Sequence, residues 1–95
     1  MASADDEGMR ALVARELAGI DGLDANSQRL RETLHAYIRN LNSPDAAARS
    51  LGVHKNTVRY RIQRIEELLG HDIASRRVQL EVALECVAVY GPAVL

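Results

Sequence analysis

The spacing of apolar residues divides this chain into five stretches of helical period. Met9, Leu12, Val13, Leu17 and Ile20 recur every three or four positions. They predict a short amphipathic helix near residues 8–19, behind a polar, acidic and frayed lead-in over 1–8. The connector 19–24 carries two Gly and two Asp, residues that favour turns. Leu30, Leu34, Tyr37, Ile38 and Leu41 form a second stripe, with Arg29, Arg31, Glu32 and Arg39 off it, and predict a helix over 26–41.

Asn42–Ser43–Pro44–Asp45 reads as a stop followed by a start. Ser43 suits an N-cap, Pro44 the first helical position and Asp45 the positive end of the dipole. The third helix is short, over 44–51, and ends at Gly52. A fourth runs over 55–69 to Gly70, a residue free to take the left-handed C-terminal position. Ser75 is the expected cap of a last helix reaching Tyr90 and ended by Gly91–Pro92. The pattern predicts an all-α chain of about five helices.

Composition agrees with that reading. Ninety-five residues suffice for one small core, and with three Tyr, no Phe and no Trp that core must be Leu, Ile, Val and Ala. Cys86 sits in an apolar helical run and is expected to be a small buried hydrophobe. One cysteine forms no intrachain disulfide, which fits a reducing cytoplasm. With no signal peptide and no membrane-spanning apolar run, a soluble cytoplasmic protein without membrane contact is expected, nucleoid-associated if it binds DNA.

Charge changes the picture. The net charge of −1 conceals an uneven distribution: about −4 over residues 1–28, +6 over 29–64 and −3 over 65–95. Between Ala46 and Ile65 stand Arg49, Lys55, Arg59, Arg61 and Arg64 with no Asp or Glu among them. Solvated helices ordinarily mix signs to gain i,i+4 pairs, so an acid-free basic stretch points to a polyanionic partner.

The stretch 44–65 also meets the requirements of a helix-turn-helix. Two helices that cross closely need small residues at the crossing and a residue tolerant of positive φ in the turn. Ala47, Ala48 and Leu51 supply the small and apolar positions, Gly52 the turn, and Val53, Val58 and Ile62 the lock. On a wheel of the fourth helix, Val58, Ile62, Ile65 and Leu69 face the core. Asn56, Tyr60, Gln63 and Glu67 lie roughly opposite, with Arg59 on one flank and Thr57 and Arg64 on the other. Recognition helices meet base edges with their N-terminal residues. Lys55, Asn56, Arg59, Tyr60 and Gln63 are therefore candidate base readers: Asn and Gln suit adenine, Arg and Lys guanine. Ser43, Arg49, His54, Thr57 and Arg64 suit phosphates. Double-stranded DNA is the expected partner. RNA is a weaker fit, because Tyr60 is the one aromatic available for stacking.

An enzyme finds no support. His35, His54 and His71 are scattered, no metal-ligand spacing or Gly-rich phosphate loop is present, and neither a cofactor nor a catalytic residue is expected. A second alternative is a helical interaction module whose basic face docks an acidic protein. Salt dependence together with base-sequence dependence separates it from a DNA reader.

The string LGVHKNTVRYRIQRIEELLG (Leu51–Gly70) closely resembles the signature of the C-terminal helix-turn-helix domain of PucR-type bacterial transcription regulators. Arg29–Ile38 and Arg77–Leu84 resemble the helices before and after it, so the likeness spans about residues 28–88. The chain departs from that pattern in two places. The loop before the last helix lacks Pro, and Asn42–Ser43–Pro44 replaces an Asn-rich turn. The resemblance implies a Fis-like three-helix arrangement with flanking helices and no wing, acting in transcription regulation. It also implies a sensory region upstream, for which 95 residues leave no room. The chain is thus expected to be an excised domain or fragment, with 1–25 the tail of an upstream region and 26–91 the DNA-binding domain.

The last helix, 76–90, is apolar on two sides. Leu80, Ala83, Leu84 and Val87 form one patch, and Val78, Val82, Cys86 and Val89 another. The first completes the core. The second is expected to meet a second copy, an upstream sensory domain, or the N-terminal helix of the same chain.

Overall fold

The computed structural model describes residues 4–95, with side chains from residue 6 onward, and among these no strand occurs. Five α-helices follow one another: α1 (Ala4–Glu16), α2 (Ala25–Arg39), α3 (Pro44–Leu51), α4 (Lys55–Leu69) and α5 (Arg77–Tyr90). Short 3-10 turns at Ala74–Arg76 and Pro92–Val94 flank α5. The all-α architecture is the one that the apolar periodicity predicts.

Several boundaries differ, each for a local reason. Helix α1 starts at Ala4, so residues 4–8 are helical rather than frayed, while 1–3 lie outside the described residues. Helix α2 ends two residues early in a Schellman motif. The Leu41 N–H reaches the Ile38 carbonyl and the Asn42 N–H the Tyr37 carbonyl, placing Leu41 and Asn42 at φ 55° and 61°. Leu41, expected in the apolar stripe, is thereby turned out and is 80% exposed. Ser75 does not cap α5. Its N–H and hydroxyl are spent on the Asp72 carboxylate and carbonyl within the preceding 3-10 turn, and α5 begins without a side-chain cap.

The main core joins α1, α2, α4 and α5 through Val13, Leu17, Ile20, Leu34, Ile38, Ile65 and Leu80, all fully buried. A smaller cluster of Ala47, Ala48 and Val58 locks α3 to α4. Tyr37 and Ile62 pack against both clusters and bridge them. Burial in a poorly polar site, with Glu66 nearby, raises the Tyr37 phenol above its usual range.

Two buried charges tie the α1 end of the domain down. Arg31, expected off the apolar stripe, is buried and donates from Nη1 to the carbonyls of Ile20 and Gly22, each at 2.6 Å. The long stem lies inward while the guanidinium closes the α1–α2 connector. Glu16 is 3% exposed and accepts from Arg76 at 2.6 Å and from Arg15 at 3.2 Å. Those bonds, Arg76 foremost, hold its carboxyl below the usual range against the opposing cost of burial. In the same connector Gly19 has φ 101°, and a Cβ there would collide with the Leu68 carbonyl of α4. Only glycine lets the backbones approach so closely.

One face of α5 does what was expected of it. Leu80, Ala83 and Leu84 are buried, and α1 and α2 pack on that side. Cys86 is half-buried against the core. Val78, Val82 and Val89 remain exposed, so α1 does not wrap the second patch.

Candidate nucleic-acid interface

The helix-turn-helix is set by caps at all four of its ends, Gly70 closing α4 in the left-handed conformation with its N–H on the Glu66 carbonyl. The Ser43 hydroxyl accepts the Ala46 N–H at 3.2 Å and starts α3, with Pro44 in its first turn. Gly52 closes α3 at φ 71° and ψ 33°, the left-handed conformation the turn requires. Val53 then returns its N–H to the Ala48 carbonyl and packs beside the Ala47–Ala48–Val58 cluster. With alanine at both buried α3 positions, α3 seats its small face directly on Val58 of α4.

His54 caps α4. Its Nδ1 accepts the Asn56 N–H at 3.0 Å, which requires that nitrogen to be unprotonated. In the neutral ring the hydrogen then resides on Nε2, leaving an outward donor at the positive end of the α4 dipole. No cap of this kind was expected of His54, since histidine is not among the usual N-cap residues.

The exposed face of α4 carries the predicted readers. Lys55, Asn56, Arg59, Tyr60 and Gln63 are all exposed, and Tyr60 is 68% accessible. Thr57 is half-buried, Ser43 likewise, and Arg49 projects from the last turn of α3. The opposite face behaves as the wheel predicts: Val58 and Ile65 are fully buried, while Ile62 and Leu69 are half-buried.

The five cations of this stretch are not equivalent. Arg61 is half-buried and donates to the Thr33 hydroxyl of α2 at 3.2 Å, so it braces the domain and stands apart from the reader face. Arg64 pairs with Glu67 at 3.2 Å. Arg59 donates from Nη1 to the Asn56 Oδ1 at 3.3 Å. Lys55 and Arg49 have no charged or hydrogen-bonded partner among the described residues. The acidic pair beyond the basic run divides too. Glu66 turns inward and accepts the Ile73 N–H at 2.8 Å, whereas Glu67 stays outside with Arg64. The first two turns of α4 thus present cationic and amide donors with no carboxylate between them.

Compared with known proteins, the sequence profile of the PucR C-terminal helix-turn-helix domain matches residues 30–88, from inside α2 to the last turn of α5. The chain belongs to the PucR helix-turn-helix family. Its relatives include the transcriptional activator PmfR of Paenarthrobacter nicotinovorans, 42% identical over 68% of this chain and 14% of that protein. The carbohydrate diacid regulator of Escherichia coli K12 is 41% identical over 77% of this chain and 19% of the regulator. An uncharacterized Thermomonospora curvata protein from the pkwA 5′ region is 45% identical over 75% of the chain and 41% of its own length. The chain thus spans less than half the length of these relatives. No solved structure matches it. Within the PucR domain the match takes in α3, α4 and the whole candidate interface, and it leaves out α1.

Among the described residues no cluster of His, Cys, Asp and Glu could hold a metal ion, and no helix is long and apolar enough to cross a membrane. His35 bonds Glu85 at 2.7 Å and links α2 to α5, a rim contact.

Proposed function

We propose that this chain is the DNA-binding part of a cytoplasmic bacterial transcription regulator, and that it reads duplex DNA through α4. The observation that carries the reading is the acid-free donor face over the first two turns of α4, packed on α3 through Ala47, Ala48 and Val58. Asn56, Arg59, Tyr60 and Gln63 then meet base edges in the major groove, with Lys55 at the head of α4 serving both a base edge and the adjoining phosphate. Ser43, Arg49, His54, Thr57 and Arg64 lie toward the phosphates, Arg64 as half of the Arg64–Glu67 ion pair and so adding no net charge there. His54 contributes its Nε2 donor, and Ser43 keeps its hydroxyl hydrogen while its oxygen caps α3. Relatives that carry the same domain are named transcriptional activators and regulators, which supports regulation as the output.

Fluorescence anisotropy on labelled duplexes tests the reading. Lys55→Ala is expected to weaken binding to any duplex. Gln63→Ala is expected to relax preference at a defined base by roughly 1–3 kcal/mol. Unchanged binding in both variants would show that the wrong face has been assigned. Failure of the native chain to bind any duplex at low salt, with tight binding to an acidic protein instead, would favour the interaction-module reading.

A further inference from the structure

Among the candidate readers, Asn56 and Arg59 are already bonded to each other. They stand one turn apart on α4, both exposed, with the Arg59 guanidinium donating to the Asn56 Oδ1 at 3.3 Å. Three residues is the spacing that brings side chains together on one helix face. The chemistry fixes which amide atom is engaged, since a guanidinium only donates and its partner must be the oxygen.

That bond alters what Asn56 offers to DNA. Bidentate reading of adenine needs an asparagine to donate from Nδ2 to N7 and to accept from the N6 amino group at Oδ1. In this structure Oδ1 is occupied. Its second lone pair is a poorer acceptor for the N6 amino group, because the oxygen is already polarised toward a cationic donor 3.3 Å away. What the pair presents outward is dominated by Nδ2–H₂ and the remaining N–H groups of Arg59, all of them donors. In the major groove, guanine matches such a surface best, offering two acceptors at N7 and O6. Thymine offers one acceptor at O4, and adenine and cytosine each expose an amino group.

We infer that Asn56 and Arg59 act as one donor-dominated reader that selects guanine and rejects adenine at the base pair they meet. The inference rests on the proposal that α4 reads DNA. It reverses the assignment that asparagine alone would suggest. It also gives Arg59 a second role beyond its own contact, as the residue that decides which atoms of Asn56 remain free. Each half of the pair then depends on the other, so their effects on specificity are coupled.

In vitro selection from a randomised duplex library, with the native 95-residue chain and its Asn56→Ala and Arg59→Ala variants, tests this. Far-ultraviolet circular dichroism checks that each variant keeps its helix content; both side chains are exposed, so truncation leaves the core intact. The expected result is an enriched guanine in the native sites that weakens in both variants. In Arg59→Ala it is replaced by adenine, by on the order of tenfold in relative enrichment, because Oδ1 has been released. Adenine at the Asn56-dependent position of the native sites would overturn the inference and leave DNA reading standing. Loss of the guanine in Arg59→Ala without a gain of adenine would assign that base to Arg59 alone, and would equally overturn the pairing. Absence of any enriched sequence from the folded native chain at low salt would overturn the reading by α4 itself.

Discussion

The unequal commitments of the five cations give a quantitative expectation for salt dependence. Each phosphate neutralised by a cation releases condensed counterions, and the logarithm of affinity falls with the logarithm of salt at a slope of about −0.9 per contact. Counting the sequence alone, Arg49, Lys55, Arg59, Arg61 and Arg64 would give five contacts. The structure removes three: Arg61 is held by Thr33 of α2, Arg64 is neutralised by Glu67, and Arg59 is engaged with Asn56 on the base-reading side. Arg49 and Lys55 remain. Two contacts predict a slope near −1.8, so raising salt from 50 to 200 mM weakens a single domain on a duplex by about 12-fold. Five would give a slope near −4.5 and a loss of about 500-fold over the same range. Anisotropy titrations at four or five salt concentrations separate these readily. Lys55→Ala should then lower the slope by about 0.9, while Arg61→Ala should leave it unchanged. A native slope near −4.5, or a slope that shifts with Arg61→Ala, would refute the division of roles drawn from the side-chain partners.

The remaining expectations concern stability. Ile65→Ala removes a fully buried side chain through which α4 meets the main core, and should cost about 2–5 kcal/mol in denaturant melts at unchanged m-value. Gly52→Ala meets no neighbour within 4 Å but keeps φ 71°, so the loss should be limited to left-handed strain of about 1–2 kcal/mol. Gly19→Ala adds a collision with the Leu68 carbonyl to the same kind of strain and should be the more damaging of the two. Glu16 has its pKa lowered by Arg76. Its contribution is therefore complete above the ordinary carboxylate value of 4.5 and is lost as pH falls through the lower folded value. Acid titration of stability should be shallower in Glu16→Gln than in the native chain; identical curves would remove Glu16 as a source of acid sensitivity.

The helices and their order were legible because each rests on local rules. Helical period gave α2 and α4. Ser43, Pro44, Gly52 and Gly70 marked ends through cap chemistry that depends on few neighbours. What was not legible depends on contacts distant in sequence. Arg31 reads as a surface charge on any wheel, and it is buried because two carbonyls eleven and nine residues earlier need a donor. Arg61 reads as one more cation of the basic run until α2 brings Thr33 to it across 28 positions. Leu41 misled for another reason. A Schellman turn ordinarily uses glycine, and here a leucine occupies the left-handed position and leaves the apolar stripe. Ser75 met the requirement for a cap, but Asp72 claimed it first.

The small size of the α3–α4 cluster has a consequence for how the domain opens. Helix α3 buries only Ala47 and Ala48, two methyl groups worth about 0.8 kcal/mol each. Beyond them α3 persists on its caps, its helical hydrogen bonds and the half-buried Leu51 and Val53 beside Val58. The expected consequence is that α3 and its turn open more readily than the core of α1, α2, α4 and α5. Amide exchange in α3 should run well ahead of that in α4. If α4 reads DNA as proposed, the surface that fixes its angle is the part of the fold whose rigidity a bound duplex would raise most.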